Sequence, residues 1–370
     1  MKKIILFITA FMFIMNINAL ELNSKYAYVY NIKENKVMYE VDSKKQIPVA
    51  SLTKIMTAII AIENNDNLEK EVQIIDSDLR DMYEYAVAGF KPFDIVTIKD
   101  LLYGVLLPSG SDAVNAIVRE TTNTEEEFVK LMNDKVKELN LTNTYFSNSI
   151  GKDEGNYSSM YDISKILEYA LNNEIFKEIF MSATYKVNNL ELKGPLYHIQ
   201  SALINGAKTG FTYDAMYCLA SFSQRDDFNY IVITAYANSY KEVIEDHTNI
   251  YNYYFNNYGY HDYNINFDIN IKHGKEEYYN IKIKRKYYLE NSYNKELLTY
   301  KYDGIKEINK KINKGDKLGI VSIYYGNNLL ETIDIYLDKE IKYKHYEVLV
   351  ISGLLVIILI VILLIKNKKR

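Results

Sequence analysis

The spacing of apolar residues changes along this chain, and each change marks a different kind of element. Residues 24 to 41 read as two short strands around Glu34-Asn35. From Ser51 to about residue 180 helical spacing dominates, beginning with Ile55-Met56-Thr57-Ala58-Ile59-Ile60-Ala61-Ile62. Thr124 to Glu127 form a capping box ahead of Phe128, Leu131, Met132, Val136 and Leu139, an amphipathic stripe that faces a core. Strand-like runs return at Tyr217 to Phe222 and Tyr230 to Ala237, antiparallel partners around Gln224-Arg225-Asp226-Asp227. A last helix is expected from Tyr240 to Tyr254. Strand, helical middle, strands and final helix make an α+β layout, with helices packed on an antiparallel sheet built from both ends of this region.

The pattern changes again near Asn256 to Tyr260. Ile265 to Ile271 and Tyr279 to Ile283 alternate apolar with polar residues, the strand period. Lys314-Gly315-Asp316-Lys317-Leu318-Gly319 is a turn before a strand from Ile320 to Tyr325, and Ile333 to Leu337 is a final strand. This is a small all-β domain, residues 262–342, following a first domain at 20–258. Both ends read as targeting segments. Lys2-Lys3, the apolar stretch Ile4 to Met15 and Asn16-Ile17-Asn18-Ala19 have the layout of a secretory signal peptide over 1–19. Ile17 is bulky for a cleavage site, so an uncleaved anchor is the alternative. Val348 to Ile365 is apolar except for Ser352 and Gly353, which gives about 27 Å of helix, enough for a transmembrane span. Lys366, Lys368, Lys369 and Arg370 follow and place the tail in the cytoplasm. Everything between the two ends is therefore expected to be extracytoplasmic, on a single-pass cell-membrane protein.

Net charge is −4 over 370 residues, which argues against nucleic acid as a partner. There are 36 Tyr and no Trp, with many Ile, Asn and Lys, the signature of an AT-rich genome rather than of an aromatic binding surface. The single Cys218 sits in the apolar run Met216-Tyr217-Cys218-Leu219-Ala220 and reads as a buried, inert thiol. His198, His247, His261, His273 and His345 form no ligand-spaced cluster, so no metal and no cofactor is expected.

The candidate chemistry begins at Ser51-Leu52-Thr53-Lys54. A serine and a lysine three apart at the start of an apolar helix share one face, so the amine sits beside the hydroxyl. Two further matches to the spacing are set aside. Ser149-Ile150-Gly151-Lys152 carries a helix-disfavouring glycine, and Ser292-Tyr293-Asn294-Lys295 lacks an apolar face. Downstream lies Lys208-Thr209-Gly210, whose lysine can hold an anionic group. Between them, Leu106-Leu107-Pro108-Ser109-Gly110-Ser111-Asp112-Ala113 turns into a helix at Ala113 to Val118. Singly, these read as a helix cap, a strand end and a turn. In this order they match the three motifs of penicillin-interacting serine enzymes.

The chain resembles the D-alanyl-D-alanine carboxypeptidases, the low-molecular-mass penicillin-binding proteins. The resemblance spans roughly residues 24 to 340. It is carried by Tyr28 to Glu40, Ile47 to Ala58, Val96 to Gly104, Phe128 to Phe146 and Asn205 to Thr212. It implies a β-lactamase/transpeptidase-like catalytic domain and a β-rich spacer, ahead of the transmembrane helix read from the apolar run. It also implies a peptidoglycan stem peptide as substrate, β-lactam antibiotics as covalent inhibitors and Ser51, Lys54 and Ser109 as catalytic residues. Ser111, Lys208, Thr209, Gly210 and Phe211 would bind substrate. The family's middle motif is usually Ser-Gly-Asn, and Ser111 replaces the asparagine; Phe211 replaces a frequent histidine, at a position that acts through its backbone N–H. Met216 stands where a small residue is common. A desolvated amine near another cation has a lowered pKa, and Lys208 is the candidate for that neighbour of Lys54. Two other readings stay open: a β-lactamase, and a degenerate penicillin-binding wall scaffold without turnover.

Overall fold

A computed structural model describes residues 20–80, 85–152, 155–344 and 346–368. The signal peptide expected at 1–19 lies outside the described residues, as do Lys369 and Arg370 of the basic tail. The chain divides into two compact units, Met1–Asn256 and Asn257–Arg370.

The first unit opens with the hairpin β1 (Tyr26–Asn31) and β2 (Lys36–Val41). A short strand β3 (Ile47–Pro48) leads through a 3-10 turn at Ala50–Leu52 into α1 (Thr53–Glu63). Within the stretch expected to be helical, β4 (Glu71–Gln73) and β5 (Ile95–Thr97) pair antiparallel, a contact between distant segments too short to show a period. Then come α2 (Ile98–Leu106), α3 (Ser111–Thr122), α4 (Glu125–Glu138), β6 (Tyr157–Ser158), α5 (Met160–Leu171) and α6 (Glu174–Phe180). A small hairpin of β7 (Thr184–Val187) and β8 (Leu190–Lys193) and a short α7 (Pro195–His198) precede the main strands β9 (Gly206–Thr212), β10 (Met216–Arg225) and β11 (Phe228–Ala237). The unit ends with α8 (Tyr240–Asn257), one turn longer than the sequence pattern predicts.

The central sheet has the order β2-β1-β11-β10-β9, antiparallel throughout. Both ends of the unit therefore contribute, as the pattern predicts. Alternation sorts the two faces. Cys218, Ala220 and Phe222 of β10 and Ile231, Ile233 and Ala235 of β11 pack into the core that α1 to α6 share. On the other face Ser221 and Thr234 meet α8, where buried His247 bridges their hydroxyls at 2.6 and 3.0 Å. Tyr251 completes this network through Ser221 at 2.7 Å. Asp246 of α8 also accepts the N–H groups of Asn23 and Ser24, fastening the start of the unit. Burial on both faces explains why β10 and β11 read as near-continuous apolar runs. β9 is one edge of this sheet and β2 the other.

The second unit is β-rich. β12 (Tyr258–Ile271) and β13 (Tyr278–Glu290) pair along their length, with β15 (Glu307–Ile308) beside β12. A second sheet orders β14 (Leu298–Gly304), β16 (Lys317–Tyr325) and β17 (Asn328–Tyr336). Ile265, Ile269, Ile281, Ile283, Val321 and Ile323 form its core. The chain continues into α9 (Tyr346–Lys368), in which Leu354 to Ile362 expose apolar side chains. Among the described residues no helix is long and apolar enough to cross a membrane.

Candidate active site

Ser51 lies in the 3-10 turn and makes no helix-capping hydrogen bond, so its hydroxyl is not committed to the backbone. Val49, Ala50 and Leu52 around it are buried and hold the turn against the core. Ala50 has φ +47°, a left-handed conformation costly for a residue with a side chain. Lys54, one helical turn on, donates to Ser51 Oγ at 3.1 Å and to the Ile150 carbonyl at 2.7 Å. Thr57 reaches the next carbonyl, that of Ser149, at 2.6 Å. The segment set aside as a chance motif, Ser149 to Lys152, is thus the loop that fixes the lysine. A Cβ at Gly151, φ +88°, would lie 2.2 Å from the Ala50 carbonyl oxygen, so only glycine lets that loop lie against the nucleophile turn. Asn156 ties the loop further, donating to Thr53 Oγ1 at 3.1 Å and accepting from Ser147 and Asn148 N–H.

Burial pushes the Lys54 amine down to about 7, while the Asp112 carboxylate pulls it upward. Lys208 is held well below the usual lysine range by burial first and by the Lys54 cation second. Removal from water is the first cause of the lowering for both amines. Lys208 is fully buried; its amine donates to Ser109 Oγ at 2.9 Å and to the Thr209 carbonyl at 2.9 Å. Thr209 is among the residues that line the adjoining cavity.

Ser109 also adopts a positive φ, +64°, at the turn ahead of α3. Its neighbour Asp112 was not singled out from sequence, yet it organises this side of the site. Its carboxylate accepts from the N–H groups of Ala88, Gly89 and Ala113 at 2.7, 2.9 and 2.9 Å. That ties the segment bearing Tyr85 and Ala86 to the start of α3. Ser111 is completely buried, and its Oγ has no hydrogen-bond partner among the described residues.

β9 brings the third motif alongside. A Cβ at Gly210 would lie 3.2 Å from Ser51 N and from the Ala50 Cβ, so a side chain there would force the turn to shift. The strand and the nucleophile turn therefore run in backbone contact. Phe211 is half-exposed and packs on Tyr217, its partner on β10. A cavity of about 860 Å³ results, lined by Ser51, Lys54, Ser109, Ser111, Thr209, Gly210 and Phe211 among others. All the residues singled out from sequence meet there except Lys208, which touches it through Ser109 and Thr209. Met216 opens β10 at φ +52° and is not among the lining residues. Cys218 is buried and its thiol is pushed up to about 12, so it has no reactive thiolate near neutral pH. Among the described residues no group of three His, Cys, Asp or Glu side chains is placed to hold a metal ion.

The geometry has close relatives. Residues 14–239 match the sequence profile of the peptidase S11 family, D-alanyl-D-alanine carboxypeptidase. The D-alanyl-D-alanine carboxypeptidase DacF of Bacillus subtilis is 29% identical over 310 residues, 80% of this chain and 77% of the relative. A D-alanyl-D-alanine endopeptidase of Haemophilus influenzae is 31% identical over 199 residues, 52% of this chain and 67% of the relative. Among solved structures, penicillin binding protein 5 from Haemophilus influenzae superposes with a TM-score of 0.67 at 18% identity, covering 87% of this chain and 98% of that one, a likeness of fold.

Proposed function

This chain belongs to the D-alanyl-D-alanine carboxypeptidase family of serine peptidases, and from that premise we propose how its own residues carry the reaction. The enzyme removes the terminal D-alanine of peptidoglycan stem peptides through an acyl-enzyme. Ser51 Oγ attacks the carbonyl between the two D-alanines, and Lys54 takes the hydroxyl proton. The observation that carries this reading is the buried amine 3.1 Å from that hydroxyl, with a pKa brought to about 7. A lysine at its ordinary value would be protonated and could not serve as base.

The carbonyl oxygen, as it gains charge, is received by the backbone N–H groups of Ser51 and Phe211, the latter next to Gly210, which lies against Ser51 N. Thr209 holds the carboxylate of the leaving D-alanine, with Lys208 behind it. An anion arriving there favours the charged form of Lys208, countering the burial that depresses it. Ser109, bonded to Lys208, relays a proton to the leaving amine. Water then resolves the acyl-enzyme. β-Lactams enter by the same attack and stay as acyl groups on Ser51.

The β-rich second unit serves as a spacer, and the apolar stretch 348–365 anchors the protein in the cell membrane with the catalytic unit outside and the C-terminus in the cytoplasm. Two features support this: the exposed apolar side chains of α9 and the basic residues after them. Truncation before Val348 should release an active protein from membranes; a truncated, signal-cleaved protein that stays with the membrane refutes the anchor. For the reaction, the test is release of free D-alanine from a diacyl-L-lysyl-D-alanyl-D-alanine peptide. Rapid turnover of penicillin in place of stable capture would instead favour a β-lactamase.

A further inference from the structure

The cavity around Ser51 has two unlike parts. One part carries the hydroxyls of Ser51, Ser109 and Thr209; the other carries Phe211, Tyr213, Tyr217 and Tyr240. The aromatic part is assembled rather than scattered. Phe211 and Tyr217 are direct partners across β9 and β10, with ring centroids 4.5 Å apart. Tyr213, from the turn between the strands, meets Phe211 at 5.7 Å, edge to face. Yet Phe211 is 45% and Tyr213 88% exposed. Large rings left open at the rim of a reactive cavity gain a use when a ligand covers them. The abundance of tyrosine in the composition hides this grouping, which only the strand register and the turn bring about.

Its position tells which part of a ligand would lie on it. This step rests on the function proposed above. The leaving residue's carboxylate lies by Thr209 and the scissile carbonyl by Phe211, so the acyl portion continues along the edge strand away from Thr209. Thr209 to Tyr213 spans about 13 Å of extended chain. The residue ahead of the scissile D-alanine therefore arrives over Phe211, Tyr213 and Tyr217. Among the described residues no carboxylate lines the cavity, and the one charged side chain lining it is Lys54. An apolar group on that residue finds the rings of Phe211, Tyr213 and Tyr217 grouped there. We propose that Phe211, Tyr213 and Tyr217 form an acyl-side subsite that selects peptides and β-lactams by an uncharged, apolar side chain.

The test compares second-order acylation by benzylpenicillin, which carries a phenylacetyl group, with that by 6-aminopenicillanic acid, which carries none. The ratio of the two rates should fall about threefold to tenfold in Tyr213→Ala and in Tyr217→Ala, and be kept in Tyr213→Phe. Tyr213 is almost wholly exposed, so its replacement leaves the fold intact. A matched peptide pair gives a second reading: the Nε-acetyl-lysyl substrate should exceed the free-amine form in kcat/KM. An unchanged ratio in both alanine variants, equal slowing with both β-lactams, or preference for the free amine overturns the subsite. If neither β-lactam acylates the unaltered chain, the proposed reaction itself fails.

Discussion

Protonation of Lys54 is the sharpest perturbation this site allows. Its amine falls from an ordinary 10.5 to about 7, a shift worth about 5 kcal/mol against the charged form. With no shift, about one enzyme in 3,000 would hold a neutral lysine at pH 7; with it, about one in two does. Above pH 7 the amine is free to take the Ser51 proton, and below it the amine already carries one. The second-order rate of acylation by benzylpenicillin should therefore be level above about pH 8 and fall tenfold per unit below 7. At pH 5 it should be about 100-fold down. Circular dichroism across the same range separates loss of base from loss of fold. A rate that is flat from pH 5 to 8, in protein that stays folded, would refute Lys54 as the base. So would a rate still climbing at pH 10, because burial would then not have freed the amine.

Three further outcomes follow from the same geometry. Gly151→Ala sets a methyl against the Ala50 carbonyl and lifts the Ile150 carbonyl from Lys54; acylation should drop about 100-fold, and a drop under threefold would contradict the loop's role. Ser111→Asn supplies an amide where a buried hydroxyl now has no partner, so acylation should rise severalfold to tens-fold with both peptide and penicillin; an equal or lower rate means that the pocket is already complete with serine. His247 is buried with its pKa lowered to about 3, so the unfolded chain binds its proton first as pH falls below 6.5. That share of stability is complete above pH 6.5 and is lost on the way down to 3, about 3 kcal/mol by pH 4.5 in urea titrations. His247→Gln should remove it, and an unaltered pH dependence would contradict the assignment.

What could be read from sequence was local or periodic. Ser51 and Lys54 are three apart on one helical face, so their contact is a property of the helix itself. The apolar runs of β10 and β11 foretold strands, and the run after Ser51 foretold α1. What stayed hidden depends on residues far apart. The Ile150 carbonyl lies 96 positions from Lys54, and nothing in Ser149-Ile150-Gly151-Lys152 announces that its backbone, not its serine and lysine, matters. Asp112 looks like an ordinary first-turn acid, yet it binds the backbone of residues 88 to 90, more than twenty positions earlier. The depth of Lys208 is set by neighbouring strands and helices, which the three residues of its motif do not report. Strands as short as β4 and β5 carry too few residues to show a period.

The central claim is that Ser51 forms the acyl bond. Mass spectrometry of the intact protein after brief exposure to benzylpenicillin, followed by peptide mapping, tests it directly. The account predicts one adduct per chain, on the peptide containing Ser51, and none in Ser51→Ala, with release of D-alanine lost in the same variant. An adduct on another residue, or undiminished labelling of Ser51→Ala, would contradict it.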